Sequence, residues 1–171
     1  MKFDSTEKID FYLPKVQSFI DEVVMPVEMD ILKQDIPVNK RWEPHPEIED
    51  LKNEARDRGL WNLFLPDSDY GAGLTNYEYA HLAEAMGRTH FASEAMNCSA
   101  PDTGNMEVLV RYGSKEQQDQ WLKPLLNGEI RSAFGMTEPQ VASSDATNME
   151  ATAELVDCLL YTSPSPRDNR V

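Results

Sequence analysis

The sequence predicts a mainly α-helical fold that turns to β structure only after about residue 128. Three observations carry that expectation. Apolar residues recur at three- and four-residue spacings through most of the first 128 positions. Helix-capping signatures stand where several of those periodic runs begin. Beyond Gly128 the period shifts to that of strands. The expected organisation is an all-α domain over 1–128, the start of a β domain over 129–156, and a tail, 157–171, foreign to both.

Residues 7–32 carry Ile9, Leu13, Val16, Phe19, Ile20, Val23, Val24, Val27 and Ile31 as one apolar stripe. Pro14 suits a first turn, and Pro26 is expected to kink or break this helix. Residues 36–46 are Pro-rich and read as loop. Pro46 to Arg58 reads as a second helix with Gly59 at its C-cap. Its acidic run Glu47-Ile48-Glu49-Asp50 lies in the first turn, where the helix dipole favours negative charge. Residues 65–74 are turn chemistry throughout. Thr75-x-x-Glu78 is a capping box, and Tyr79, Leu82, Ala83 and Met86 follow on one face until Gly87. Ser99 and Pro101 suit the entry to a helix through Val108 and Leu109 to Gly113. Ser114-x-x-Gln117 opens a short helix through Trp121 and Leu122. Ser132–Thr137 and Asn148–Val156 read as two strands, too few for a stable sheet, so a further C-terminal portion is expected.

Charge and composition exclude several classes. Sixteen Lys and Arg against thirty Asp and Glu give a net charge of −14. A surface this acidic repels phosphate backbones, so nucleic acid is not an expected partner. No apolar run approaches the ~18 residues of a membrane span. The polar, acidic N-terminus has the character of neither a secretory nor a transit peptide. Cys98 and Cys158 form no CxxC, and His45, His81 and His90 show no ligand spacing. Neither a metal site nor a disulfide scaffold is expected, and the location expected is cytoplasmic.

Residues 158–168, CLLYTSPSPRD, have two prolines, three Ser or Thr, and no periodicity. They back-translate to a string resembling the transposase adaptor of sequencing libraries. Native sequence is therefore expected to stop near Val156, leaving Cys158 without biological meaning.

The motifs also carry a family resemblance. Phe134-Gly135-Met136-Thr137-Glu138-Pro139, with Ser144-Asp145 following, resembles the M-T-E-P…S-D signature of the acyl-CoA dehydrogenases. GLWNLFLPDSDYGAGLTNYEYAHLAEAMG resembles their G-L…P-x-x-x-G-G-x-G segment. YGSKEQQDQWLKPLLNGEIRSAFGMTEP resembles their passage from helical domain to middle sheet. The likeness spans residues 5–156. VASSDATN and NCSAPDTGNME resemble the branch whose mammalian members carry an appended kinase-like domain.

The resemblance implies FAD as cofactor and an acyl-CoA thioester as substrate, desaturated between Cα and Cβ in fatty acid or branched-chain β-oxidation. It also implies reoxidation by an electron-transfer flavoprotein and a homo-oligomer when complete. A flavin that accepts hydride needs donors aimed at N5 and its neighbouring carbonyls. A short segment ending in Met136-Thr137 offers backbone N–H groups and one hydroxyl. Thr137 and Met136 are therefore the expected flavin contacts, with Phe134 near the ring. The small Ala142-Ser143-Ser144 turn allows close approach of backbone to phosphate. Either Ser143 or Ser144 fits the family serine near the FAD pyrophosphate, and Ser144 also the CoA entrance. For residues 97–106 two readings stand: lining of the acyl cavity, with Gly104 and Asn105 near the chain's far end, or plain helix packing. Glu138 and Asp145 are read as turn caps rather than an acid/base pair. The family's base lies in a C-terminal bundle, so no catalytic base is expected here, and the chain alone is expected to be inactive. An acyl-CoA oxidase and a flavin-free helical interaction module are the alternatives.

Overall fold

The computed structural model describes residues 5–40, 43–136, 138, 145–150, 152–156 and 159–162. The chain divides into two compact units, Met1–Ser132 and Ala133–Val171.

The first unit is helical. α1 (Glu7–Phe19) continues through a π-helical turn, Ile20–Val24, into α2 (Met25–Lys33). Neither proline breaks it, contrary to the expectation for Pro26. Pro14 lies inside α1 on an exposed face, where water can solvate the carbonyl of Asp10 that its missing N–H leaves unpaired. At Pro26 the widened turn is the accommodation. The N–H of Met25 bonds back five residues to Ile20, and Pro26 then falls in the first turn of α2, where an N–H is not needed.

α3 (Pro46–Asp57) ends at Gly59, whose φ of +70° makes the left-handed turn out of the helix. α4 (Asn76–Met86) packs against α1. A four-residue helix the periodicity did not signal, α5 (Ala92–Ala95), precedes α6 (Asp102–Tyr112). α7 (Lys115–Gln117), a second π-helical turn at Gln118–Leu122 and α8 (Lys123–Leu126) close the unit. Here too the π turn leads straight into a first-turn proline, Pro124. The core gathers Val16, Phe19, Ile20 and Val24 with Leu51, Leu63, Leu82, Met96, Met106 and Leu122.

One carboxylate starts two of these helices. Glu78 Oε2 accepts from the Thr75 N–H (2.8 Å) while Thr75 Oγ1 accepts from the Glu78 N–H (3.3 Å), completing the expected capping box. Glu78 Oε1 also accepts from the hydroxyl of Thr6 (2.8 Å), the N-cap of α1. The Thr75 N–H, chiefly, holds the Glu78 carboxyl below the usual carboxylate range.

Asparagines fix the other end. Asn62 and Asn97 both adopt left-handed backbone, at φ 56° and 54°, a region that asparagine tolerates better than most residues. Asn62 Nδ2 donates to the Leu126 carbonyl (3.0 Å), and Asn97 Nδ2 donates to Asn62 Oδ1 (2.7 Å) and to the Leu125 carbonyl (3.1 Å). Trp61 Nε1 adds a bond to the Leu126 carbonyl (2.6 Å). The C-terminal carbonyls of α8 are thus satisfied by side chains from two other turns, which sets where the chain leaves the helical unit.

The second unit holds a 3₁₀ turn at Ala146–Asn148 and an antiparallel hairpin of β1 (Ala153–Val156) with β2 (Leu159–Thr162), Val156 opposite Leu159. β1 falls within the expected Asn148–Val156 strand, and β2 lies in the stretch read as tail. The strand expected at Ser132–Thr137 is not formed over Ser132–Met136, and Thr137 lies outside the described residues. The reason is pairing: an apolar run becomes a strand only with a ladder partner, and the described strands pair with each other.

The capping box yields a direct expectation. Thr75→Ala should cost the 171-residue chain about 1 kcal/mol in urea unfolding, and Thr75→Ser should restore most of it. An unchanged midpoint in Thr75→Ala would mean the box contributes nothing.

Candidate functional site

α6 begins with a carboxylate that is buried yet ionised. Asp102 is 2% exposed. It accepts from Arg131 Nε (2.6 Å), the Ser132 N–H (2.7 Å) and the Ser132 hydroxyl (2.6 Å). Burial pushes its pKa up, but the bonds from Ser132 and the Arg131 guanidinium outweigh it and hold the carboxyl below its ordinary value. Arg131 Nη1 meets Glu94 Oε1 at 2.7 Å, and Lys52 Nζ lies 3.7 Å from that same oxygen and 2.6 Å from Glu49. Lys52 is only 6% exposed. A line of alternating charges therefore runs from α3 past α5 to α6 and the exit segment. Lys52, Glu94 and Arg131 form part of the wall of a cleft of about 640 Å³.

Ser132 extends this line to a predicted site residue. Asn105 Nδ2 donates to Ser132 Oγ (2.8 Å), and Ser132 Oγ donates to Asp102. Gly104 is exposed, and a Cβ there would meet nothing within 4 Å. Val108 (55% exposed) and Tyr112 (80%) continue that side of α6 at four-residue steps. Asp102 and Met106 are buried on the other side. One side of α6 therefore packs, and the side with Gly104 is open.

In the second unit, Phe134 is 64% exposed and Met136 is partly buried. Gly135 has open space where a Cβ would stand. Thr137, Ser143 and Ser144 lie outside the described residues. Asp145 is a turn cap, accepting from the Thr147 N–H (3.0 Å) and hydroxyl (2.6 Å). Glu138 accepts from the Glu150 N–H (2.9 Å). Among the described residues no cluster of three His, Cys, Asp or Glu could hold a metal ion, and no helix is long and apolar enough to cross a membrane.

Asp102, Arg131 and Ser132 were not among the residues singled out from the sequence. An acidic residue opening a helix reads as a dipole partner, and nothing local pairs it with a residue 29 positions on.

The acyl-CoA dehydrogenase N-terminal domain family matches residues 6–129. The chain belongs to the acyl-CoA dehydrogenase family. It is 58% identical over 144 residues to mouse acyl-CoA dehydrogenase family member 10, covering 81% of this chain and 13% of that protein. It is 47% identical over 156 residues to human family member 11, covering 89% of this chain and 20% of that protein. These relatives bear out the branch suggested by VASSDATN and NCSAPDTGNME. The solved structure of a Mycobacterium abscessus protein, described as an acyl-CoA dehydrogenase, superposes with a TM-score of 0.81 at 54% identity, over 88% of this chain and 39% of that one. The chain thus spans a fifth or less of the length of these mouse and human relatives. The family comprises oxidoreductases of fatty acid metabolism that generally bind FAD, and the helical fold is that of its N-terminal domain.

Asp102 gives a pH-dependent expectation. Its folded pKa is depressed, so its contribution is present above its unfolded pKa of roughly 3.9 and is lost as pH falls through the folded value. Asp102→Asn should cost on the order of 1–3 kcal/mol near neutrality, and the gap from wild type should narrow below about pH 4. Denaturant unfolding of both chains from pH 7 to pH 3 checks this; a gap independent of pH would contradict it.

Proposed function

We propose that the chain is the N-terminal part of an FAD-dependent acyl-CoA dehydrogenase that desaturates an acyl-CoA thioester between Cα and Cβ. One observation supports this above the others. Residues 6–129 match the N-terminal domain of the acyl-CoA dehydrogenases, and those same residues build the helical unit.

In this reading the helical domain is residues 1–128, the middle β domain starts over 129–156, and 157–171 is non-native. FAD, when bound, supplies the hydride acceptor. Thr137, through its hydroxyl, and Met136, through its backbone N–H, would hold the flavin and stabilise negative charge on it. Phe134 shields one side from water. Ser143 or Ser144 would hold the FAD pyrophosphate; Ser144 is also assigned to acyl-CoA, as, separately, are Gly104 and Asn105. The α-proton goes to a carboxylate outside these residues. Electrons leave to an electron-transfer flavoprotein, and the complete enzyme is a homo-oligomer in the cytoplasm.

In the complete enzyme, Thr137→Val should weaken FAD binding or slow its reduction by acyl-CoA by about 1–3 kcal/mol, because a buried acceptor loses its partner. Unchanged FAD affinity and an unchanged reduction rate would refute that role. Air reoxidation faster than reoxidation by an electron-transfer flavoprotein would make the enzyme an oxidase instead.

The 171-residue chain itself should show no turnover. General-base catalysis is worth ~10²–10⁴-fold, and the base is not among these residues. The test is reduction of an artificial acceptor with saturating FAD and a panel of acyl-CoAs. Turnover above a flavin-only blank, abolished by Thr137→Val, would overturn this expectation.

A further inference from the structure

We propose that Asn127 is a site of spontaneous deamidation, and that the turn out of α8 holds the reaction shut. Asn127-Gly128 is the one Asn-Gly step in the sequence. Glycine has no Cβ to shield its nitrogen, so that nitrogen attacks the preceding side-chain amide more readily here than at any other step. The only co-reactant is water. The Gly128 nitrogen gives its proton to solvent hydroxide and bonds to Asn127 Cγ, and Nδ2 leaves as ammonia. Water then opens the cyclic imide at either carbonyl. Opening at Cγ gives aspartate. Opening at the main-chain carbonyl gives isoaspartate, with the chain running through Cγ. Either way a neutral amide becomes a carboxylate.

The folded turn blocks the first step. Asn127, the C-cap of α8, has ψ −8°. At that angle the Gly128 nitrogen eclipses the nitrogen of Asn127 rather than its Cβ, and it cannot reach Cγ. Rotating ψ until it can reach moves Gly128 and Glu129. That breaks the bonds from the Gly128 N–H to the Leu125 carbonyl (3.0 Å) and from the Glu129 N–H to the Pro124 carbonyl (2.9 Å). Arg56 holds the turn from outside. Its Nη2 donates to the Asn127 carbonyl (2.7 Å), its Nη1 donates to Asn53 Oδ1 (3.0 Å), and its guanidinium lies 3.9 Å over the Trp61 ring. The leaving group is held too, since Asn127 Nδ2 donates to Glu129 Oε1 (3.0 Å). Asn127 is nonetheless exposed, so water and hydroxide reach it whenever the turn opens. The conversion is one-way in structure as well as in chemistry. A carboxylate at position 127 faces the Glu129 carboxylate that had accepted its amide, and isoaspartate also adds an atom to the main chain inside the turn. A converted chain recloses less well, and residue 127 records that the turn has opened.

The test is peptide mass spectrometry of the 171-residue chain during incubation at mildly alkaline pH. It reads the amide-to-acid mass gain at residue 127, with isoaspartate detected by methyltransferase labelling. The folded chain should convert roughly tenfold or more slowly than the same chain in urea, because reaction waits on a local opening. Arg56→Ala should speed conversion of the folded chain several-fold. Asn127→Gln, whose amide would have to close a larger ring, should remove the reaction at this position. Should Arg56→Ala fail to fold, Arg56→Lys takes its place: it keeps the cation and loses the planar fork that bonds two acceptors while stacked. In Asn127→Asp, hydrogen exchange at the Gly128 amide should speed several-fold relative to amides in α4. Equal conversion in buffer and in urea would overturn the gate. No conversion at residue 127 in urea would overturn the site itself. An unmoved rate in the folded Arg56 variant would overturn the part assigned to Arg56. Unchanged exchange at Gly128 in Asn127→Asp would overturn the claim that conversion leaves the turn looser.

Discussion

An ionised carboxylate at 2% exposure is the constraint on which the end of the helical unit depends. Burying such a charge without partners costs far more than a domain's net stability can absorb. Asp102 is tolerable only because three donors converge on it. Those donors come from Arg131 and Ser132, so the buried charge fixes where the chain runs after α8. The helix that carries Asp102 adds its own N-terminal dipole to the same site. Asn105, one turn on, joins through Ser132 Oγ. The first residues of α6 and the last residues of the helical unit are therefore one structural element in energetic terms.

That exit is prepared by irregular features upstream. The π turn at Gln118–Leu122 seats Pro124 in a first turn, which lets α8 form within two residues of a proline. α8 then ends after one turn, and its orphan carbonyls are taken by Trp61, Asn62 and Asn97. Gly128 is at φ +68°, and a Cβ there would come within 2.8 Å of Arg56 Nη2 and 2.9 Å of the Trp61 ring. Glycine is needed at that point for both conformation and room. Arg56 lies 3.9 Å over Trp61 and donates to the Asn127 carbonyl (2.7 Å), closing the turn from outside.

The ion pairs are unequal in weight. Arg111 with Glu107, and Lys115 and Lys123 with Asp119, are exposed pairs on helix surfaces at one-turn spacing. Such pairs contribute little and are screened by salt. The line from Glu49 through Lys52, Glu94 and Arg131 to Asp102 differs because two of its members are buried: the side chains of Lys52 and Asp102 are 8% and 4% exposed. Removing Arg131 leaves the buried Asp102 without its cation, which is the expensive case. In a chain of net charge −14, placing two of the scarce cations here concentrates the electrostatic order at the exit from the helical unit.

What the sequence disclosed follows from how local each signal is. The capping boxes at Thr75–Glu78 and Ser114–Gln117 formed as expected, since both partners lie within one turn. The apolar stripe of residues 7–32 became a continuous helix, but its path through Pro26 depended on a π turn that no spacing rule announces. Ser132–Met136 has the composition of a strand and is not one, because strand formation is decided by a partner elsewhere in the chain. Gly104, singled out through the family resemblance, lies on the open side of α6, while Asn105 is half-buried and bonded to Ser132. Asp102 could not be anticipated, because its role exists only once residue 131 has been folded back onto it. A buried charge is legible in a sequence only when its partners are neighbours, and here they are 29 and 30 residues away. The long-range clamp on Asp102 is therefore what only a folded structure discloses.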